Sequence, residues 1–466
     1  MFVNLPDRFV ADLGEVIGEG HLRRGAQSVA AYAADALGQA HPPDLVALPG
    51  SAAEIAAIAR LCNRHHVPLV VRGAGTGYTG GAVPTRGGVV LSMERLNRIL
   101  EIDEANLLAV VEPNVITADL QRAVERVGLF YPPDPASLES SSLGGNVAEC
   151  AGGPRAFKYG TTKRYVLALE AVLPTGEIVR TGSKAVKNVV GYDLTQLLVG
   201  SEGTLAIVAA ITLRLIPRPP ARAALSAAFA DVQGAVGAVT ALLDRRVVPA
   251  ALELIDADSL EAVDAHAPGA ERIAPGTNAL MIIECDGTPA SVAQEIEQVE
   301  AACAGAGAIR ITRAATDDAR DALWSMRRHV SLALRATGLL KINHDVVVPR
   351  GRVPQLFDVV ARLKERYRLR IASFGHAGDG NIHVNLLIDA ADLDARARAA
   401  RAERELFEHV VALEGSISGE HGIGFSKAPY LSIELSPEVI ALMKRVKTAF
   451  DPNGILNPGK IFPEES

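Results

Sequence analysis

Apolar residues recur at two spacings along this chain, and the switches between them outline its elements. In "SAAEIAAIARLCNRHH" they return every three or four residues. Ser51 stands where a helix needs a cap and Glu54 follows three residues later, so the pattern predicts a capped helix. "VPLVV" then reads as a strand, and "GVVLSM", "LLAVVEP" and "ITADLQRAVERVG" read as strand, strand and helix. From 160 to 216 the texture is that of strands. "VLALEAVLPTGEIVRTG" is a hairpin turning at Thr175-Gly176, and "LAIVAAITLRLI" is a long apolar strand. The proline-rich "PRPPARA" at 217–223 marks a boundary. Beyond it "ALELIDADSLEAV" and the stretch from "NALMIIECDG" to "AIRIT" alternate strand, helix and strand, which predicts an antiparallel sheet with helices on one face. After Asp389 a charged helical stretch with a solvated face leads to a glycine-rich loop, a last helix and the turn-rich tail "DPNGILNPGKIF".

Composition narrows the class. At 466 residues the chain exceeds one compact core, so two or three domains are expected. The formal charge of −7 and the lack of a basic stripe argue against nucleic acid as a partner. The N-terminal stretch carries acidic residues and no long apolar run, so it reads as neither signal peptide nor membrane span. Four scattered cysteines (Cys62, Cys150, Cys285 and Cys303) lack any C-x-x-C spacing. That speaks against disulfides, zinc ribbons and an internal iron–sulfur cluster, and for a cytoplasmic protein.

Two glycine-rich loops raise a question of chemistry. In "VVRGAGTGYTGGAVP", Gly75, Gly77 and Gly80 spell G-x-G-x-x-G behind a strand. A dinucleotide fingerprint of that kind needs a helix to follow, and "GAVPTRGGVV", with Pro84, cannot supply a first helical turn. The alternatives are a mobile surface loop, or bare amides approaching a large anion such as a diphosphate. Residues 131–153, "YPPDPASLESSSLGGNVAECAGG", form a second long loop of Gly, Ser and Pro. Together the two could embrace one extended, diphosphate-bearing cofactor.

A third constellation is "FGHAGDGNIHVNLL". Two strands joined at Asp379-Gly380 would set His376 and His383 facing each other across a hairpin, with Asn385 on the face of His383. Such a pair is either a set of hydrogen-bonded structural histidines or part of a metal site. "SGEHGIG" supplies Glu420 as a third ligand, with His421 pointing elsewhere; two histidines and a glutamate with open positions suit catalytic zinc or a similar divalent ion.

Taken in order, "RGAGTGYTGG", "SSLGGNVAECAGG", "VGSEGTLAIV", "GHAGDGNIH", "SGEHGIG" and "LNPGK" resemble the flavoprotein family of D-lactate dehydrogenase, the glycolate oxidase flavin subunit and D-2-hydroxyglutarate dehydrogenase. The resemblance covers nearly the whole chain. It implies an α+β fold: a vanillyl-alcohol oxidase/p-cresol methylhydroxylase-type FAD-binding domain of two α+β subdomains over 1–222, a ferredoxin-like substrate domain with an antiparallel sheet over 223–410, and a segment, 411–466, returning to complete the active site and the FAD domain. It implies that Arg72, Gly73, Ala74, Gly75, Thr76, Gly77, Gly80 and Gly81 hold the FAD diphosphate. Pro133, Asp134, Ser141, Ser142, Gly144, Gly145, Asn146, Gly152 and Asn457 would line the rest, with Glu202, Gly203 and Ile207 nearer the adenine. Relatives with covalent flavin often carry His after "RGxG"; Thr76 occupies that place here, which implies non-covalent FAD.

The resemblance also implies that His376, His383 and Glu420 bind the metal, zinc or alternatively manganese. His421 would be the catalytic base, Arg327 in "LWSMRRHVS" would pair with the substrate carboxylate, and Asn385 would be a third catalytic residue. The implied reaction oxidises a D-2-hydroxyacid to the 2-oxoacid. Hydroxyglutarate enzymes carry a lysine where Asn343 stands here, with Lys341 two residues earlier. That departure tilts the expectation toward lactate or a similar small acid, with hydroxyglutarate or glycolate as alternatives. Electrons would leave to a quinone, an electron-transfer flavoprotein or an iron–sulfur subunit, and an electron-accepting partner could hold the protein peripherally at a membrane. A homodimer is compatible with this reading. Competing classes are a metal-dependent hydrolase with a nucleotide substrate and a non-catalytic, electron-passing subunit.

Overall fold

The computed structural model describes residues 5–266 and 275–463. The chain forms two compact units. The first comprises residues 1–152, 161–218 and 420–466, and the second comprises 153–160 and 219–419.

Among the described residues the first unit holds two larger sheets and one two-stranded pair, Leu129–Phe130 with Ile216–Pro217. In the smaller of the two sheets, Leu45–Ala47 and Leu69–Arg72 flank Val89–Ser92 in parallel, and Leu22–Arg23 closes one edge. Leu69 on the other edge bonds to the C-terminal tail through Ile455 O and Asn457 N, so the tail returns to this unit. Helix Ala52–His65 covers the sheet, burying Ile55, Ile58, Ala59 and Cys62 among Leu69, Val89 and Leu91. Its start is as the sequence predicts: Ser51 Oγ accepts from Glu54 N at 3.2 Å, while the Glu54 carboxylate accepts from Gly50 N at 2.7 Å. The second sheet is antiparallel, in the order Ile99–Asp103, Leu108–Val111, Ile207–Arg214, Val166–Val172 and Ile178–Gly182. The last two strands are the expected hairpin, with Gly176 at φ +90° in its turn.

The second unit is built on one antiparallel sheet of seven strands. Arg310–Arg313, Ala221–Phe229, Ala279–Gly287 and Ala251–Asp256 lie in the 4-1-3-2 order of a ferredoxin-like core. Arg370–His376, Asn381–Ile388 and Leu340–Val347 extend it. The expectation of helices on one face is corrected here. Helices Val232–Asp244 and Pro289–Gly305 pack one side, and Ala257–His266 and Asp317–Ala336 pack the other. Strands Ala279–Gly287 and Asn381–Ile388 are buried along almost their whole length, so even Glu284, Asp286, Asn381, His383 and Asn385 are buried in them. The short helix Ala156–Tyr159 belongs to this unit although the chain on either side of it does not: Lys158 Nζ and Tyr159 OH both donate to the buried Asp286 carboxylate, at 2.6 and 2.7 Å.

All four cysteines are free. Among the described residues no helix is long and apolar enough to cross a membrane. Ser51→Ala removes the cap acceptor of helix Ala52–His65 and should cost about 1 kcal/mol. Differential scanning calorimetry should show the first unit's transition lowered by roughly 2–4 °C; an unshifted transition would mean that the tertiary contacts of this helix make its cap dispensable.

Candidate functional site

In the first unit the strand Leu69–Arg72 runs out into residues 73–81 with no helix behind them, so a Rossmann turn is absent. Buried Arg72 anchors the loop, donating from Nη1 to Ala34 O at 2.9 Å. Gly75 and Gly80 hold φ of +71° and +79°, which favours glycine. The amides of Gly75, Thr76 and Gly77 make no hydrogen bond among the described residues. Bare, half-buried amides in that number suit a diphosphate.

The second loop is not structureless. Residues Leu143–Glu149 form a helix of two turns capped by Ser142, which the glycines in "LGGNVAE" conceal from a propensity reading. Ser142 Oγ accepts from Gly145 N and also from Ala74 N, both at 3.3 Å, so it ties the two glycine loops together. A Cβ on Gly73 would collide with Ser142 Oγ, and one on Gly144 would collide with Pro113. Behind the contact, Asn146 Nδ2 donates to Thr117 Oγ1 at 2.7 Å, and Thr117 N bonds Ser141 O. Pro133 O accepts from Gln121 Nε2, and Asp134 is buried beside it.

Two further segments close on these loops. Glu202, itself at φ +52°, accepts from the Ile423 and Gly424 amides at 2.8 and 2.7 Å, and Gly203 follows at φ +63°. Asn457 Nδ2 donates to Gly81 O and Glu202 O, leaving its Oδ1 buried without a partner. Ile207 lies in the apolar core, away from these polar groups. Thr79 Oγ1 donates to His421 O at 3.0 Å, and the His421 ring stacks on Tyr78 with centroids 5.1 Å apart. The Glu420 carboxylate lies against Gly152. Sequence reasoning missed Glu149, whose carboxyl sits beside Glu202 near Gly422; burial first and Glu202 second push it well above the ordinary range.

In the second unit the two histidines share a face but are two residues out of register. His376 pairs with Asn381 and His383 with Phe374, so the rings meet diagonally, 5.4 Å apart and edge to face. Asn385 lies on that face, fully buried. It donates to Ala372 O and His383 O and accepts from Asn343 Nδ2 at 2.7 Å. Strand pairing adds Asp345 opposite His383, with Oδ1 3.7 Å from Nδ1, and Glu253 opposite His376, with Oε1 2.5 Å from Nδ1. Neither carboxylate stands out in the sequence, since Glu253 lies within "ALELI" and Asp345 is one of several polar residues in "KINHDVV". Arg327 arrives from helix Asp317–Ala336. Its Nε donates to Glu253, its guanidinium covers the Phe374 ring at 4.8 Å, and Nη2 is buried without a partner. Burial alone would raise the Glu253 carboxyl, but Arg327 and then His376 hold it down at about 2.

Residues 218–461 match the family described as FAD linked oxidases, C-terminal domain, and residues 43–182 match that described as FAD binding domain. The chain belongs to the FAD-linked oxidases. It is 42% identical to the glycolate oxidase subunit GlcD of Bacillus subtilis over 91% of this chain and 90% of that one. It is 37% identical to a D-lactate dehydrogenase of Anaerostipes hadrus over 91% and 90%. The solved 4-ethylphenol oxidase of Gulosibacter chungangensis superposes with a TM-score of 0.80 at 21% identity, covering 100% of this chain and 99% of that one, which shows the shared fold. In this FAD-linked oxidase, the free amides at 75–77, the meeting of loops at Ser142 and the unpartnered Asn457 oxygen suit a bound dinucleotide.

Gly73→Val drives a side chain into Ser142 and should part the loops. Overpacking of this kind costs about 1–3 kcal/mol, or roughly 5- to 150-fold in FAD affinity. The flavin-to-protein ratio after gel filtration checks this, and full retention would remove the loop junction from the cofactor site.

Proposed function

We propose that this FAD-linked oxidase is a D-2-hydroxyacid dehydrogenase, with D-lactate or a similarly small acid as substrate. Arg327 carries the reading. A buried guanidinium with an unpartnered Nη2, on a sheet face holding His376, His383 and Asn385, suits a small carboxylate. FAD supplies the two-electron acceptor, and the bare amides at 75–77 with Ser142, Gly145 and Asn457 would hold it. A divalent ion, zinc or manganese, would supply a Lewis acid for the hydroxyl oxygen, with His376, His383 and Glu420 as its ligands.

The remaining roles belong to side chains. His421 accepts the hydroxyl proton as general base; its ring is fixed by stacking on Tyr78 and its carbonyl by Thr79. Glu420 follows Gly419, whose amide donates to the Asp345 carboxylate at 3.0 Å. Asn385 orders the strand bearing His383 rather than standing free for catalysis. Asn343 bonds Asn385, and Lys341 is engaged by Ser331 and lowered to about 7 by burial and then by Arg335, so neither favours a second substrate carboxylate. Electrons leave to a quinone, an electron-transfer flavoprotein or an iron–sulfur subunit.

Three outcomes are expected. With Thr76 where a tethering histidine would stand, acid precipitation should release all the flavin, and a yellow pellet would contradict non-covalent binding. Glu420→Ala should lose metal, whereas His421→Ala should keep metal and FAD but reduce flavin about 10² to 10⁴ times more slowly with D-lactate under anaerobic conditions. Near wild-type reduction in metal-replete His421→Ala would assign the proton to another group. D-lactate should bleach the flavin faster than D-2-hydroxyglutarate; the reverse order would overturn the small-acid reading.

A further inference from the structure

The polar groups on the second unit's sheet converge on one side chain. Glu253 is fully buried, and each of its carboxylate oxygens has its own partner: Oε1 meets His376 Nδ1 at 2.5 Å, and Oε2 accepts from Arg327 Nε. The backbone sets up the first contact, because Glu253 and His376 are paired directly across neighbouring strands. Helix Asp317–Ala336 sets up the second, bringing Arg327 down onto Phe374.

We propose that Glu253 is a positioning residue that couples metal ligation to substrate-carboxylate binding, one oxygen orienting His376 and the other aiming the Arg327 guanidinium. The inference rests on the dehydrogenase reading above. A carboxylate on Nδ1 selects the ring tautomer and fixes which nitrogen can serve a metal. A carboxylate on Nε locks the guanidinium plane, so its Nη edge points to one place. Neither role needs Glu253 to touch substrate. Because one rigid group serves both, a disturbance at Glu253 should be felt by metal and by 2-oxoacid together.

Glu253→Gln keeps the shape but replaces one acceptor by an NH₂. In either orientation a donor then faces Arg327 Nε–H or His376 Nδ1. If the amide faces His376, it stabilises the tautomer that carries its proton on the other nitrogen. Glu253→Asp keeps the charge but is one methylene too short to span both partners. The full-length, FAD-loaded protein should be stripped with a chelator, titrated with Zn²⁺ against a chromophoric chelator, and separately titrated, metal-replete, with pyruvate by its effect on the flavin spectrum. Metal affinity should fall about 10- to 100-fold in both variants. Pyruvate affinity should fall at least about fivefold, matching the lower end of coupling between linked sites, with FAD content unchanged. Both affinities within twofold of wild type would overturn the proposal. Loss of one with the other intact would overturn the coupling. Failure of both variants to give folded, flavin-loaded protein would reduce Glu253 to a structural ion-pair partner and overturn it as well. A wild-type protein that binds neither Zn²⁺ nor pyruvate would sink the dehydrogenase reading instead, so the two failures are distinguishable.

Discussion

A carboxylate sealed from water must be compensated by cations and donors, and the second unit is arranged around that requirement. Glu253 sits mid-sheet with no exposure, between an arginine that is itself 4% exposed and a histidine on the next strand. Removing one member of a buried pair of this kind typically costs 3–5 kcal/mol, because the other charge stays buried. The register of strands Ala251–Asp256 and Arg370–His376 is therefore fixed by charge as well as by apolar pattern, since a one-residue slip would turn His376 away. Two more carboxylates on the same face follow the rule: Glu284 takes the Trp324 indole N–H, and Asp286 takes Lys158 and Tyr159. Trp324, Arg327 and Ser331 recur at helical spacing, so one stripe of helix Asp317–Ala336 supplies these polar contacts.

The first unit obeys a different constraint. Its loops approach one another because glycine leaves room, not because charges attract. Gly73 abuts Ser142, Gly144 abuts Pro113, and Gly80 abuts Phe425. Where side chains would crowd, backbone amides remain, and some of those amides have no internal acceptor. Such a surface is incomplete by itself. It is stabilised when an anion with several oxygens is supplied, which is the physical link between glycine content and cofactor binding.

The sequence discloses what is local and conceals what is not. The cap at Ser51, the turn at Thr175-Gly176 and the paired strands around Asp379-Gly380 are each written within a short stretch and each forms as expected, except that His376 and His383 meet diagonally rather than directly across the hairpin. The exclusion of a Rossmann helix after Gly80 was also local, resting on Pro84 and the glycines behind it. Glu253 was not legible, because its partners lie 74 and 123 residues away and "ALELI" reads as an ordinary strand. Asp345 is hidden in the same way within "NHDVV". The second layer of helices was missed because a strand buried on both faces does not announce which element covers each side. Nor does "GPRAFKYG" contain any mark that assigns it to the second unit; only its bonds to Asp286 do so.

The neighbours Glu420 and His421 show why adjacency in sequence need not mean shared chemistry. They follow Gly419 at a point where the chain passes from one unit to the other, and glycines also stand at 152–153 and at 160, where it passes earlier. Positions of this kind need backbone freedom, yet the two side chains are individually restrained. Glu420 turns its carboxylate toward Gly152 on one glycine loop, and His421 turns its ring onto Tyr78 on the other. The two side chains point apart, and each direction leads to a different surface. The proposed roles, a cation ligand at Glu420 and a base at His421, would therefore fall on different surfaces. Divergence at a single dipeptide would thus be enough for the proposed ligand and the proposed base to come from the same loop, without either group competing for the other's place.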